Sequence, residues 1–346
     1  MTTPPWRVRP PRPQDESALI ELFRQSFGRE ITAEHYRWKL RTRQSPVENV
    51  AVAVNAADRP VFHFGGIPCR CRLAGQDRWV MIGVDVMTDS AFRRQGVLTA
   101  VAGDLFGRWR EAGVALVFGL LNQEWRSRRA ALGWRHLFPL SWLVFPLAPE
   151  RVLARRLRLP FLNRATWLGA WWRRRIGEAP PAGMKVRELT RAGPEIDGIG
   201  AAAGLAGRYG LIKDAQWVNW RYLDAPDAGF RVLLAERDGV PAGYVAFRLR
   251  HGAGVIAEVV TAPVDRAVFS ALVHAAVARL AEAGATGVRA LAVPRGVYDR
   301  GFRAAGFWRG WRRFPVYAVL LDPLLSESDI GDPSHWSLAG GDFDVV

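Results

Sequence analysis

The order of strand-like and helix-like segments starts again at Met184, and that restart limits the chain to folds that can be built twice. The opening "WRVRPPRPQDESALIELFRQSF" reads as a short strand, a proline-rich turn and a helix, with Asp15 as N-cap and Leu19, Leu22, Phe23 and Phe27 at helical spacing. "MKVRELTRAGPEIDGIGAAAG" runs through the same order. "QWVNWRYL" then echoes "EHYRWKL", with Trp220 in the place of Trp38, a separation of 182 residues (220 − 38). Gly133 and Gly306, each closing a short helix, are 173 apart (306 − 133). An internal duplication with drifted loops accounts for both offsets.

Within the first copy, "NVAVAVN" and "PVFHFGGIPCRCRL" read as strands either side of the turn "NAADRP", and "RWVMIGVDVM" as another strand. "GVLTAVAGDLFGRWREAG" is a helix with Leu98, Val101, Leu105, Phe106 and Trp109 as its buried stripe, closed by Gly113. A strand "VALVFGLL", a short helix "EWRSRRAAL" and a last strand "LSWLVFPL" follow. Strands first, then one βαβ crossover, then more strand define a mixed α/β class, close to α+β, with a mostly antiparallel twisted sheet flanked by helices. The boundaries expected from this order are 1–148 for the first domain, 149–183 for a basic, tryptophan-rich connector, 184–323 for the second domain and 324–346 for an acidic tail.

The net charge of +15 points to an anionic partner, although an arginine-rich composition is also what a GC-rich coding sequence produces. Only Lys39, Lys185 and Lys213 among the 48 basic residues are lysines. Cys69 and Cys71 fall on one face of a strand, too close to bridge easily and too few for a zinc site, and the six histidines show no ligand spacing, so no metal is expected. "MTTPPWRVRPPRPQ" lacks the pattern of a signal peptide, and no run of 18 apolar residues occurs, so the expected location is cytoplasmic. The connector can be drawn as a helix with Phe161, Ala165, Leu168, Trp172 and Ile176 on one face, packing across domains or resting on a membrane surface.

The stretch most like a site is "VDVMTDSAFRRQGVLTAV", residues 84–101. A strand that enters a glycine turn at a helix N-terminus exposes unpaired amides with the positive end of the helix dipole behind them, which is an arrangement that holds phosphate. Arg93, Arg94 and Gln95 add donors, and Gly96 allows a pyrophosphate close to the backbone. No Walker lysine motif is present.

This order and these residues resemble the GNAT N-acetyltransferase superfamily, whose signature is Arg or Gln, two residues, Gly, one residue, then Gly or Ala. "RRQGVL" supplies Arg93 and Gly96 in register, while Leu98 stands where Gly or Ala is usual. "LLNQEWRSRRAALGW" is similar to the superfamily's fifth strand and fourth helix, with Asn122 where an asparagine often meets the cofactor. The resemblance covers residues 6–147 well and 184–322 in element order only, giving two GNAT units in tandem.

It implies acyl transfer from acetyl-CoA or another acyl-CoA to the amine of a small molecule. The pyrophosphate would meet the amides of Gln95, Gly96, Val97, Leu98 and Thr99, and the pantetheine arm would pair with Val86, Met87 and Thr88. A backbone N–H near Met87 would polarise the thioester carbonyl. Asp85 is the carboxylate nearest the implied reaction centre and is the candidate base. The tyrosine that many members use as acid is missing, its place falling at Arg129. Two other readings stay open: a non-catalytic acyl-CoA-binding or regulatory module, favoured by Leu98 and the missing tyrosine, and a transferase using aminoacyl-tRNA. The pyrophosphate turn speaks against the latter, so no nucleic-acid partner is expected.

In the second copy the matching stretch "VVTAPVDRAVFSAL" has Pro263 and Asp265 and no glycine, and Phe302 takes the tyrosine position, so this copy reads as degenerate. Trp217, Trp220, Trp308 and Trp311 are expected in core and interface. The end, "GGDFDVV", reads as an unattached acidic tail; the alternative is that Asp342, Asp344 or the Val346 carboxylate enters the acyl site.

Overall fold

Val50–Val54 (β2) is five alternating valines and alanines, every one buried, which is the pattern of a strand covered on both faces. The computed structural model describes residues 4–121, 130–148, 150, 154, 157–159, 161, 181–204, 208–226, 229–261 and 265–344. The connector expectation, including its membrane-facing helix, falls almost wholly outside these residues, as do Asn122, Arg129 and Pro263.

Two compact units are present, and they interleave along the chain rather than following it: Met1–Phe138 with Pro315–Asp332, and Pro139–Phe314 with Pro333–Val346. The first unit orders its strands β1 (Arg7–Arg9), β2, β3 (Pro60–Leu73), β4 (Gln76–Thr88), β5 (Val114–Leu120) and the end of β13 (Trp308–Leu320). All neighbours are antiparallel except β4 and β5. Ala74 and Gly75, both at positive φ, make the two-residue loop that returns β3 into β4. Helices α1 (Glu16–Phe27) and α2 (Ala33–Arg41) precede β2, and α3 (Val97–Glu111) crosses from β4 to β5. Asp15 does stand at the N-cap of α1, but its carboxylate serves Arg9 and the Arg12 amide instead of the helix. The α3 stripe of Val101, Leu105, Phe106 and Trp109 packs on Phe64, Met81 and Val117, and Trp109 Nε1 donates to Glu48 O at 3.1 Å. Cys69 and Cys71 are buried in β3 as reduced thiols.

The second unit orders its strands β6 (Arg135–Pro146), β12 (Gly287–Ala292), β11 (Ala253–Thr261), β10 (Val240–Arg250), β9 (Arg231–Arg237) and β7 (Met184–Leu189). Short β8 (Tyr209–Leu211) meets Trp336 in a parallel bridge. Its helices are α4 (Pro194–Gly204), α5 (Ala215–Val218), which runs on through a wide turn at Asn219–Leu223, α6 (Arg266–Glu282) and α7 (Val297–Ala304). Phe145, Phe269, Leu272, Phe302 and Phe307 lie in its core. Trp217 and Trp220 are buried as expected, whereas Trp308 and Trp311 are 57% and 82% exposed, both on the first half of β13. The end of the chain is not an unattached tail: Trp336, Leu338, Ala339 and Phe343 are apolar and buried, and they carry Asp342 inside with them.

Candidate functional site

β4 pairs with β5 only from Trp79 to Ile82 and continues to Thr88 against β3. On the way it carries one extra residue: His63 faces Met87 and Gly65 faces Val84, so Asp85 and Val86 stand opposite Phe64 alone. Asp85 sits in the bulge at φ +48°, a conformation that costs a non-glycine residue about 1–3 kcal/mol unless its surroundings hold it. Two neighbours hold it. Lys39 Nζ from α2 lies 2.8 Å from Asp85 Oδ1, with the two side chains 2% and 5% exposed. His63 Nδ1 lies 2.7 Å from Asp85 O, so the ring donates from Nδ1 and leaves Nε2 as a lone pair. Burial, opposed by the Asp85 carbonyl, pushes the His63 pKa down to about 4, so the ring is neutral at pH 7. Asp85 Oδ2, His63 Nε2 and Tyr36 Oη are buried around the bulge without a hydrogen-bond partner among the described residues. Burial also raises the Tyr36 pKa, so its phenol keeps its proton.

The register past the bulge assigns the backbone amides. Asp89 N donates to Val61 O at 2.9 Å, so Asp89 and, by alternation, Met87 turn their amides toward β3. Thr88, between them, turns its amide to the opposite edge. Expecting a donor near Met87 therefore leads to Thr88 rather than to Met87 itself. Met87's side chain packs under Leu22, Phe23 and Ile31, and Val86 leans on the α3 core.

After Thr88, Asp89 accepts from the Ala91 amide and starts the short turn Ser90–Phe92, and Gln95 Nε2 folds back onto Ala91 O at 2.7 Å. Arg94 at φ +62° and Gly96 at φ +78° then redirect the chain into α3. The first helical bond is Ala100 N to Gly96 O, and no side chain caps the helix, so the amides of Val97, Leu98 and Thr99 face outward at the positive end of the dipole. Arg93, Arg94, Gln95, Gly96 and Thr99 are exposed, and neither Arg93 nor Arg94 forms an ion pair among the described residues. Leu98 does not crowd this mouth: its side chain is 8% exposed and points into the core beside Val97 and Val101. A cavity of about 480 Å³ runs on from there along α3, lined by Thr99, Gly103, Phe106, Arg110 and Arg135.

The second unit is built differently at the equivalent place. The N-terminus of α6 is closed by its own residue, since Asp265 accepts from the amides of Ala267 and Val268 and pairs with Arg237 at 2.5 Å. A carboxylate lies where the first unit leaves amides open. The capping role of Asp265 is not among the expectations from sequence; an aspartate directly ahead of the helix that begins at Arg266 is the signal for it.

The first unit is thus a mixed α/β sheet whose one parallel pair is joined through an open glycine turn and an uncapped helix. Residues 7–120 match the family model described as acetyltransferase (GNAT) domain, so this segment of the chain carries a GNAT acetyltransferase domain. A search of curated proteins finds no match. Among solved structures the chain is similar over 93% of its length to an Enterococcus faecalis V583 protein described as a conserved protein of unknown function, "Probable N-Acyltransferase", at 13% identity and TM-score 0.65, covering 73% of that protein. It is similar over 92% of its length to GCN5-related N-acetyltransferases from Kribbella flavida (16% identity, TM-score 0.61, 72% of that chain) and Anabaena variabilis ATCC 29413 (12%, 0.66, 73%). At such identities the likeness is one of fold. Among the described residues no helix is long and apolar enough to cross a membrane, and no group of three or more His, Cys, Asp or Glu gathers at one point.

Proposed function

We propose that the chain transfers an acyl group, with acetyl as the first candidate, from acyl-CoA to the amine of a small molecule, and that the first unit alone performs the chemistry. The observation that carries this reading is the contrast between the uncapped N-terminus of α3 and the aspartate-capped N-terminus of α6. Amides from Gln95 to Thr99 with Arg93 and Arg94 fit a pyrophosphate, because no side chain among the described residues caps the helix and Leu98 faces inward. The cavity along α3 is the room for the rest of the nucleotide.

Acyl-CoA brings the thioester. The edge at Val86–Thr88, which pairs with no strand on the β5 side among the described residues, would take its pantetheine amides as an added strand, and the outward Thr88 N–H would stabilise the carbonyl oxygen as negative charge develops there. The amine nitrogen bonds to the carbonyl carbon, the C–S bond breaks, and the amine's proton leaves to a base while the thiolate takes up another. Asp85 is the proposed acceptor through Oδ2, the oxygen not facing Lys39. The neutral His63 positions Asp85 through its carbonyl.

The experiment is thiol release from acetyl-CoA across a panel of amino sugars, polyamines, amino acids and peptides, with mass spectrometry of the acceptor. Amine-dependent release with a matching acetylated product is expected. No release from any amine or acyl-CoA, with cofactor bound, would sink the catalytic reading.

A further inference from the structure

The second unit repeats the first unit's strand geometry where the first is proposed to bind its cofactor. β11 carries one extra residue, Ala257, between Ile256, which faces Phe247, and Glu258, which faces Ala246. Its parallel pairing with β12 stops at Ile256 and Ala290, as that of β4 with β5 stops at Ile82 and Phe118. Past that point each unit has two strand ends no longer paired to each other. In the second unit, residues 336–343 lie there.

Ala339 bridges antiparallel to Ala292 at the end of β12, and the turn Gly340–Asp342 packs on β11 and β12. Trp336 and Ser337 dock on Tyr209 through a bridge and a 2.9 Å backbone bond. Asp342 is fully buried, its Oδ1 on Lys213 Nζ and its Oδ2 on the Ala339 amide at 2.7 Å. Lys213 also lies 2.8 Å from Glu258 Oε2, whose other oxygen accepts from Tyr244 at 2.6 Å. Although burial works against it, the two carboxylates hold the Lys213 pKa above its usual value. Arg221 donates to Gly341 O at 2.9 Å and Phe343 O at 2.7 Å. A side chain on Gly341 would collide with Tyr222 Oη.

The helix cation shows what changed between the copies. With Trp38 and Trp220 equivalent, Lys39 matches Arg221. Lys39 meets the bulge carboxylate Asp85; the second bulge holds Ala257, and Arg221 meets the chain's own carbonyls instead. Two cations, Lys213 and Arg221, and two carboxylates, Glu258 and Asp342, balance in charge inside this cleft, and one of those carboxylates comes from the bound segment.

We infer that the cleft between β11 and β12 is a peptide-binding site whose ligand is residues 336–343 of the same chain, recognised through backbone carbonyls and one aspartate, and that this occupant excludes acyl-CoA from the second unit. The exclusion of acyl-CoA rests on the function proposed above; the peptide site does not.

Hydrogen exchange on the full chain tests it with Gly341→Val and Asp342→Asn, reading Ala253–Thr261 and Gly287–Ala292, with β2 and β3 as internal reference. At least tenfold faster exchange at β11 and β12 is expected with the reference unchanged, and a synthetic peptide of residues 333–346 added to the Gly341→Val chain should restore slow exchange where its Asp342→Asn form does not. Unaltered exchange in both variants, or failure of the peptide to restore protection to an opened cleft, overturns the peptide site. Calorimetry on the intact chain separates the two readings: two acetyl-CoA per chain overturns the exclusion, whereas none refutes the first-unit reading and leaves the peptide result standing.

Discussion

Replacing Lys39 by Met should destabilise the first unit by about 3–5 kcal/mol, the usual cost of leaving one member of a buried ion pair alone. The figure follows from the geometry. Unit charges 2.8 Å apart attract by about 6 kcal/mol at an effective dielectric near 20, while withdrawing each ion from water costs several kcal/mol, so the intact pair nets close to zero. Lys39→Met deletes the attraction and keeps the desolvation of Asp85, whose strained φ then also loses a clamp. Lys39→Met with Asp85→Asn removes both charges, and Asn tolerates positive φ, so the double variant should regain most of the loss. Thermal unfolding followed by tryptophan fluorescence reads both, with a fall of roughly 10 °C in Tm for the single variant if about 2–4 °C accompany each kcal/mol. A loss below about 1 kcal/mol, or strictly additive single and double variants, would refute the clamp.

Three further outcomes follow from the same structure. His63 binds its proton only near pH 4 when folded and near 6.5 when unfolded, so its share of stability is complete above 6.5 and is lost as pH falls toward 4; His63→Phe should remove that dependence, worth about 3 kcal/mol, from pH-resolved unfolding curves. Leu98→Ala should lower stability by about 2–5 kcal/mol as a core truncation and leave acetyl-CoA affinity unchanged; tighter binding would show that the leucine does crowd the turn. Gly66→Ala sets a methyl 2.7 Å from the Trp109 ring and should cost about 1–3 kcal/mol in urea unfolding, whereas wild-type stability would show that the ring yields freely.

The parts of this molecule that local pattern encodes were legible before any coordinates. The all-apolar run of β2, the alternation and turn of β3, the α3 stripe and the Gly96 turn each follow from period and backbone chemistry. Partner choice is not local. Nothing in "FPVYAVLLDP" or "LSWLVFPL" says that the first closes the leading unit and the second opens the trailing one, because a two-residue period specifies a face and not a neighbour. The acidic end misled for a related reason: its charge reads as solvated, while the deciding residues are the sparse Trp336, Leu338 and Phe343. One signal was present and unread. In a chain where arginine is the default cation, two of the three lysines, Lys39 and Lys213, are buried against carboxylates, where a compact ammonium is held and a broad guanidinium is not.

The central claim is that the open amides behind Gly96 hold the diphosphate of acyl-CoA. Calorimetric titration of acetyl-CoA into wild type and Gly96→Asp tests it most directly, because a Cβ there meets nothing within 4 Å and only the positive φ opposes it, so the domain should fold. Saturable binding to wild type and none to the variant is expected, with matching circular dichroism spectra. Equal affinity in the two proteins would contradict it.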